Sequence, residues 1–267
     1  QAYGYILRSP HAHAEINQID TNAAKSAAGV VAVLTGEDWT AEGFGTFPVL
    51  VPRQQRNGEP MHPGTREPLA TNRVRLVGDD VAFVVAETLE QAKDAAELIE
   101  IDYKTLSSVT LTTEAKKPGT PAVWDDCPNN ECFFFELGSK ETVQAAFDSA
   151  HHTVKIDYEV NRISANAMEP RVSIGDYNRR DGRYTLYTST QSVHGIRSGI
   201  SGVLNLPETQ IRVIAGDVGG GFGMKGDIYH DQAFVLWASR LLDRPVRWTA
   251  DRTESLMSDT HARDNIV

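Results

Sequence analysis

The segment of residues 219–226, Gly-Gly-Gly-Phe-Gly-Met-Lys-Gly, constrains the fold of this chain more than any other. It follows a strand-like run at 211–214 and precedes a long amphipathic segment. Glycine adopts positive φ angles without strain and lets other groups approach the backbone closely. Such a loop can therefore present backbone N–H groups to an oxygen-rich ligand. The nature of that ligand decides what the chain does.

Residues 221–226 also satisfy the pattern G-x-G-x-x-G between a strand and a helix, which is typical of dinucleotide-binding sites. Phe222, however, places a bulky aromatic residue where the chain must turn tightly. The acidic residue expected about 20 positions later is poorly placed, because Asp243 precedes the next strand and Asp251 follows it. A P-loop is excluded, since Lys225 is not preceded by glycine. A nicotinamide- or flavin-dependent dehydrogenase stays open as an alternative.

The charge of the chain limits its partners. The 267 residues carry a formal net charge of -10. An acidic surface argues against non-specific binding to nucleic acids or anionic membranes, since both need positive charge. No apolar run approaches the roughly 20 residues of a membrane span. We therefore expect no nucleic-acid partner and no membrane span in a chain long enough for two domains.

The first half of the chain predicts alternating strands and helices. Thr88 and Gln91 form a capping box that predicts a helix at 90–98. Residues 40–72 are rich in glycine, proline and charge, and they predict a long excursion without regular structure. Together with the strands, the order of elements indicates an α+β fold. The predicted strands lie at 3–8, 14–19, 30–34, 73–77, 81–86 and 99–103, and a short helix is expected at 21–27.

A linker and a second set of elements are predicted in the other half. Residues 111–135 contain turn-forming runs such as Lys-Lys-Pro-Gly-Thr-Pro and Pro-Asn-Asn, and this shift in composition marks a domain boundary. The predicted helices lie near 140–150 and at 192–203 and 229–242. The predicted strands lie at 152–161, 171–178, 184–188, 211–214 and 246–250.

Cysteine and histidine residues offer little chemistry. Cys127 and Cys132 are too few for a disulfide-stapled fold, and without a second ligand pair they make a poor zinc site. We interpret them as loop cysteines. His11 and His13 share one face of a strand, but no Asp or Cys nearby completes a metal site, so surface or packing roles are favoured.

Gln191 occupies a more informative position. It ends the run 187–191, where a predicted strand gives way to a helix. A neutral amide there can donate a hydrogen bond to an oxo or carbonyl oxygen without adding charge. On the pattern alone, an ordinary polar residue at a helix N-terminus is the more common interpretation.

Three separated segments, in order, carry a resemblance to a known family. The first joins 8–14 and 29–36, the second is Ala-Met-Glu-Pro-Arg at 167–171, and the third runs from 190–191 through 217–225 to 244–248 and 251–254. Together they resemble the large, molybdenum-binding subunit of the xanthine oxidase family, in particular carbon monoxide dehydrogenase-type large chains. The resemblance covers essentially the whole sequence.

The resemblance implies an architecture and a cofactor. The fold would be α+β, with an α/β hammerhead domain at 1–110, a linker at 111–135 and the first part of a molybdenum-cofactor domain at 136–267. The cofactor would be molybdopterin, in bacterial members commonly as the cytosine dinucleotide. Because molybdenum takes sulfur ligands from this cofactor, the protein needs to supply only N–H donors and close backbone approach.

The resemblance also implies roles for individual residues. Gln191 would hydrogen-bond an oxo ligand of the metal, and Gly220, Gly221, Phe222 and Gly223 would form the platform beside metal and pterin. Gln191 and Phe222 would belong to the molybdenum environment without being direct ligands.

Two departures from the family limit what is expected. Purine-oxidising relatives carry a substrate-binding Glu where this chain has Gly226, which argues against xanthine-like recognition. The general base is expected C-terminal to Val267, so no catalytic residue is assigned within this sequence. We therefore expect a fragment or one part of a split large subunit, inactive and nearly free of molybdenum on its own. A structural or assembly segment is a non-enzymatic alternative.

The resemblance finally implies partners. They are the remainder of the large subunit, an iron–sulfur subunit with [2Fe–2S] clusters and a flavin subunit with FAD, arranged as a dimer of heterotrimers. Carbon monoxide, an aldehyde or an N-heterocycle all stay open as substrates, and the cytoplasm is the default location.

Overall fold

A computed structural model of the chain describes residues 1–49, 51–64 and 67–267. The excursion predicted at 40–72 includes Leu50, Thr65 and Arg66, which lie outside the described residues. The strands are β1 Ala2–Arg8, β2 Ala14–Asp20, β3 Val30–Thr35, β4 Arg73–Val74, β5 Asp80–Ala86, β6 Glu100–Thr105, β7 Glu159–Val160, β8 Val172–Asn178, β9 Arg183–Thr188, β10 Ile211–Ile214, β11 Val246–Thr249 and β12 Asn265–Ile266. The helices are α1 Asn22–Lys25, α2 Gly36–Ala41, α3 Leu89–Glu97, α4 Lys140–Ser149, α5 Val193–Leu204, α6 His230–Leu242 and α7 Arg252–Ser258.

The described chain divides into two compact units. The first contains Gln1–Pro48, Thr65–Ser107 and Ser164–His261, and the second contains Val49–Gly64, Ser108–Ile163 and Ala262–Val267.

A mixed sheet is the centre of the first unit. Within the described residues it has seven strands in the order β10-β9-β8-β11-β1-β5-β3. The pairs β1–β11 and β9–β10 are parallel, and the other neighbouring pairs are antiparallel. A separate sheet of the same unit has the order β4-β2-β6. A mixed sheet with helices packed on it, together with a smaller antiparallel sheet, confirms the predicted α+β class.

Strand β5 shows how the sheet is buried on both faces. All seven of its residues are buried. Phe83 and Val85 belong to the core cluster of helix α6, which includes Phe234. The alternate residue Val84 belongs to the cluster that contains Ala92 of helix α3. Because successive strand residues point to opposite faces, α3 and α6 cover opposite sides of β5.

Local signals predicted several elements correctly. At the start of α3, Thr88 Oγ1 accepts a hydrogen bond from the amide of Gln91 at 3.2 Å, and the amide of Thr88 donates to Gln91 Oε1 at 3.1 Å. The capping box therefore forms as expected.

None of the helices in the described part of the chain is long and apolar enough to cross a membrane.

The strand predicted at 152–161 is wrong for most of its length. Only Glu159–Val160 is a strand, and it pairs with β12 in the second unit. Val154 and Ile156 are exposed, so no burial supports an extended segment there. A strand needs a neighbouring strand for its hydrogen bonds, and β12 offers only two residues.

Candidate functional site

The glycine loop, residues 219–226, connects β10 to helix α6 in the first unit. Gly220 and Gly223 have φ angles of +99° and +92°, in the region that favours glycine. Its last part closes into a 3₁₀ turn, where the amide of Met224 donates to the carbonyl of Gly221 at 3.0 Å. The loop therefore has one defined conformation.

Gln191 lies against this loop. Its Oε1 accepts a hydrogen bond from the amide of Gly223 at 3.0 Å. A Cβ atom on Gly221 would lie 2.5 Å from Cδ of Gln191, so any side chain at this position would displace the Gln191 amide from its present contact. With Oε1 bound to the loop, the NH₂ end of the amide is the end left to donate, and no acceptor for it is found among the described residues.

Phe222 is held in an unusual conformation. It is 78% exposed and has a φ angle of +52°. A left-handed conformation costs a residue with a side chain roughly 1–2 kcal/mol. Such strain persists only where surrounding contacts impose it, and it is concentrated at functional sites. An exposed aromatic ring in a strained loop therefore indicates a ligand-binding surface.

Two consecutive backbone amides next to this ring are free to bind a ligand. Within the described residues, the N–H groups of Gly221 and Phe222 donate to no acceptor. Consecutive amides in a turn of this kind form a concavity that binds anionic or oxygen-rich groups. The loop thus offers an aromatic face, two N–H donors and the NH₂ group of Gln191.

Behind the loop, Lys225 and Glu169 form an ion pair. The side chain of Lys225 is completely buried, and its Nζ lies 2.7 Å from Glu169 Oε2. The same oxygen accepts a hydrogen bond from the amide of Gly219 at 2.7 Å. Burial would raise the pKa of Glu169, but the hydrogen bonds from Lys225 and Gly219 outweigh it and lower this pKa below its usual value.

A second buried charge supports the segment that carries Glu169. The guanidinium of Arg171 forms an ion pair with Asp231 of α6 and a second one with Asp259, whose Oδ1 lies 2.7 Å from Arg171 Nε. The guanidinium also lies 3.7 Å from the ring centre of Tyr229. The hydroxyl of Tyr229 donates to the carbonyl of Met224 at 2.9 Å. Both ends of the loop are therefore attached to the buried interior of the first unit.

The structure brings together the site residues that the sequence predicts. Gln191 contacts Gly221 and Gly223, and the ring of Phe222 lies beside Gly220. Their role towards a cofactor stays a prediction. Sequence reasoning assigned no role to Glu169 or Lys225, which are 56 residues apart in the chain.

Other candidates do not form sites. His13 Nδ1 lies 3.0 Å from the carbonyl of Ser107, and the ring of His11 packs against Tyr103. No group of three potential metal ligands occurs among the described residues. Cys127 and Cys132 are free thiols, and burial raises the pKa of both, which keeps them protonated.

The dinucleotide interpretation of the loop fits the structure poorly. Helix α6 begins at His230, beyond Gly226 and the residues that follow it, so the helix N-terminus is not part of the loop. In a dinucleotide-binding fold the helix opens directly from the glycine turn and receives the pyrophosphate. This geometry gives the alternative no support.

Comparison with known proteins identifies both halves of the chain. Residues 1–107 match the family model "Aldehyde oxidase and xanthine dehydrogenase, a/b hammerhead domain", and residues 123–267 match "Molybdopterin cofactor-binding domain". The chain is 34% identical to the carbon monoxide dehydrogenase large chain of Afipia carboxidovorans, across 98% of this chain and 32% of the relative. It is also 34% identical to the nicotine 6-hydroxylase large subunit of Paenarthrobacter nicotinovorans, across 100% of this chain and 32% of the relative.

Solved structures give the same result. The fold matches a crystal structure of the Cu,Mo-CO dehydrogenase with a TM-score of 0.88 and 33% identity, over 99% of this chain and 33% of that chain. It matches quinoline 2-oxidoreductase from Pseudomonas putida 86 with a TM-score of 0.84 and 31% identity, over 98% and 32%. The chain spans about a third of the length of these relatives. It belongs to the xanthine oxidase family, and it carries that family's α/β hammerhead domain followed by the start of its molybdopterin cofactor-binding domain.

Proposed function

We propose that this chain forms part of the molybdenum-cofactor-binding large subunit of a molybdenum hydroxylase, and that Gln191 and the glycine loop hold the metal end of the cofactor. One observation carries the proposal: Gln191 binds the amide of Gly223 through Oε1, which leaves its NH₂ end free to donate beside a loop whose adjacent residue, Phe222, is exposed and strained. We also propose that the α/β hammerhead domain spans residues 1–110, that 111–135 form a linker, and that 136–267 form the first part of the molybdopterin-binding domain.

The donor set suits a molybdopterin cofactor. The amides of Gly221 and Phe222 and the NH₂ group of Gln191 are neutral donors, which stabilise oxygen atoms that carry negative charge. A bound molybdopterin brings its own sulfur ligands and would supply the redox chemistry, so the protein here need only bind and orient. The side chain of Phe222 would exclude water from one face of the site.

Position 226 bears on the substrate class that we propose. Gly226 offers no side chain where purine-oxidising relatives have a glutamate. We propose a substrate that needs no acidic partner at this position, such as carbon monoxide, an aldehyde or an N-heterocycle. Relatives named for carbon monoxide and nicotine are among those that the chain resembles.

The proposed assembly extends beyond this sequence. The remainder of the large subunit would supply the general base and most cofactor contacts. An iron–sulfur subunit and a flavin subunit would carry the electrons away, in a dimer of heterotrimers located in the cytoplasm. The cytosine dinucleotide is the proposed form of the cofactor.

Two substitutions of Gln191 in the complete enzyme test the proposal. Gln191→Ala removes the whole amide, whereas Gln191→Glu keeps an acceptor for Gly223 but loses the NH₂ donor and adds a negative charge. A hydrogen bond to a charged group contributes about 1.5–3 kcal/mol, so we expect turnover or molybdenum retention to fall by roughly 10- to 150-fold in Gln191→Ala. Gln191→Glu should be affected at least as strongly.

The measurements are molybdenum content by mass spectrometry and turnover per molybdenum. Gln18→Ala, on the exposed part of β2, is the matched control and should change neither. Normal molybdenum content and normal turnover in both Gln191 variants would remove Gln191 from the site.

A further inference from the structure

We infer that Lys225 and Glu169 are positioning residues of the glycine loop. Together they fix the position of Gly219, the first residue of the loop, and the contact between Gln191 and Gly223. The functional meaning of this inference rests on the proposed cofactor site, but the positioning itself can be measured without any cofactor.

Lys225 joins three segments of the first unit. Its Nζ donates to the carbonyl of Glu169 at 2.9 Å and to Glu169 Oε2 at 2.7 Å. Its own carbonyl accepts hydrogen bonds from the amide of Gln191 at 3.0 Å and from Thr190 Oγ1 at 2.8 Å. Lys225, a single buried residue, thus connects the loop to Glu169 and to Gln191.

Glu169 fixes the opposite end of the loop. Its Oε2 accepts from the amide of Gly219 at 2.7 Å, and its own amide donates to the carbonyl of Gly219 at 3.1 Å. A Cβ atom on Gly219 would lie 2.5 Å from Cβ of Glu169, so the two backbones are as close as glycine allows. Gly219 and Lys225 are therefore bound to the same residue, and the loop between them closes a ring.

This closure accounts for the strained conformation of the loop. Phe222, Gly220 and Gly223 all have positive φ angles, and a residue with a side chain keeps such a conformation only when its surroundings impose it. Burying an ion pair is not a general source of stability, and replacing one with apolar groups is often neutral. The pair at Lys225 is thus expected to matter more for the shape of the loop than for the stability of the unit.

The test compares two lysine–glutamate pairs in the full chain. Lys225→Met keeps an unbranched apolar side chain one atom shorter and removes the donors, and Glu169→Gln keeps the acceptor but removes the charge. Lys104→Met is the matched control, because Lys104 Nζ also lies 2.8 Å from a glutamate, Glu15, but is 64% exposed. Amide hydrogen exchange is measured by NMR at Gly219, whose amide donates to Glu169, and at Gly223, whose amide donates to Gln191 instead.

We expect Lys225→Met to accelerate exchange at both Gly219 and Gly223 by about three- to tenfold, because the loop loses both hydrogen bonds that Lys225 Nζ donates to Glu169. Lys104→Met should change neither. In the unaltered chain the amide shifts of Gly219 and Gly223 should titrate together at a pH below the usual range of glutamate, and this titration should be absent in Glu169→Gln. A purely structural pair would not produce a coupled titration at Gly223.

An unchanged exchange rate at Gly223 in Lys225→Met would overturn the inference, whatever happens at Gly219. If Lys225→Met does not fold, the absence of a coupled titration in the unaltered chain would overturn it equally. Neither result depends on molybdenum. Failure here is thus distinguishable from failure of the proposed function, which the Gln191 variants decide.

Discussion

Helices α6 and α4 were both predicted from the sequence, but they have opposite environments. In α6, nine residues from Asp231 to Ser239 are buried in succession. In α4, no residue is buried. Helix α6 packs against β8, β9 and β11 of the large sheet in the first unit, whereas α4 belongs to the second unit. The helical sequence pattern therefore predicted both helices correctly. Whether a helix is buried depends on the strands and helices that pack against it.

The two helices consequently owe their stability to different interactions. On α6, Phe234 and Trp237 make edge-to-face contacts with Trp39 at 5.6 and 5.4 Å between ring centres. On α4, Phe147 is 57% exposed. Isolated short helices are marginal in water, and tertiary packing usually supplies most of their stability. Helix α4 must depend on its local interactions to a greater extent.

The largest expected effect comes from removing one phenylalanine from each helix. Phe234→Ala should lower the free energy of unfolding by about 3–5 kcal/mol, because it leaves a cavity in a closed core. Phe147→Ala should cost less than about 0.5 kcal/mol, as is usual for exposed positions. Urea denaturation followed by circular dichroism measures both. A loss of more than about 2 kcal/mol in Phe147→Ala would show that α4 is packed and would break the comparison.

The same contrast explains how much of the molecule could be predicted. The capping box at Thr88 and the apolar run of β5 depend on neighbours in sequence, so they were predicted correctly. Helix α2 was missed, although the Asp38 carboxylate accepts from the amide of Thr35 at 2.8 Å, as in a capping box. The strand at 152–161 failed because strands need partners, and the pattern carries no information about them.

The candidate site divides in the same way. Gln191 and Phe222 were assigned to the candidate site through family resemblance, and the structure adds the contact of Gln191 with Gly223. The pairing of Glu169 with Lys225 could not be deduced, since 56 residues separate them. Contacts at such distances in sequence depend on the sheet and helices between them.

The second prediction uses pH to separate the two units. Burial raises the pKa of Glu254 to about 7, against the opposing charge of Arg8, whose guanidinium lies 2.9 Å away. An unfolded glutamate releases its proton near pH 4.5. Between these values the folded state holds the extra proton, so the free energy of unfolding falls as pH rises through this window, by at most about 3 kcal/mol.

In the second unit the sign is opposite. Hydrogen bonds from Thr112 and Arg162 lower the pKa of Asp264, so its contribution is present above the unfolded pKa and is lost as pH falls. Glu254→Gln should flatten the dependence of unfolding free energy on pH between about 4.5 and 7, and Asp264→Asn should leave this window unchanged. Denaturation at several pH values provides the measurement. An equal slope in Glu254→Gln and the unaltered chain would contradict the assignment to Glu254.

The smallest expected effect compares the caps of α4 and α3. Ser139 Oγ accepts from the amide of Thr142 at 3.3 Å, and Thr88 Oγ1 accepts from the amide of Gln91 at 3.2 Å. Replacing either cap with alanine should cost about 1 kcal/mol. In Thr88→Ala this loss should appear in global unfolding, because α3 contributes the buried Ala92 to a core cluster. In Ser139→Ala it should appear as amide exchange about fivefold faster within α4, with global unfolding nearly unchanged, since no buried residue of α4 couples it to a core. If Ser139→Ala instead lowers global stability as much as Thr88→Ala and leaves exchange within α4 unaltered, then tertiary contacts hold α4, and the two helices differ less than their burial indicates.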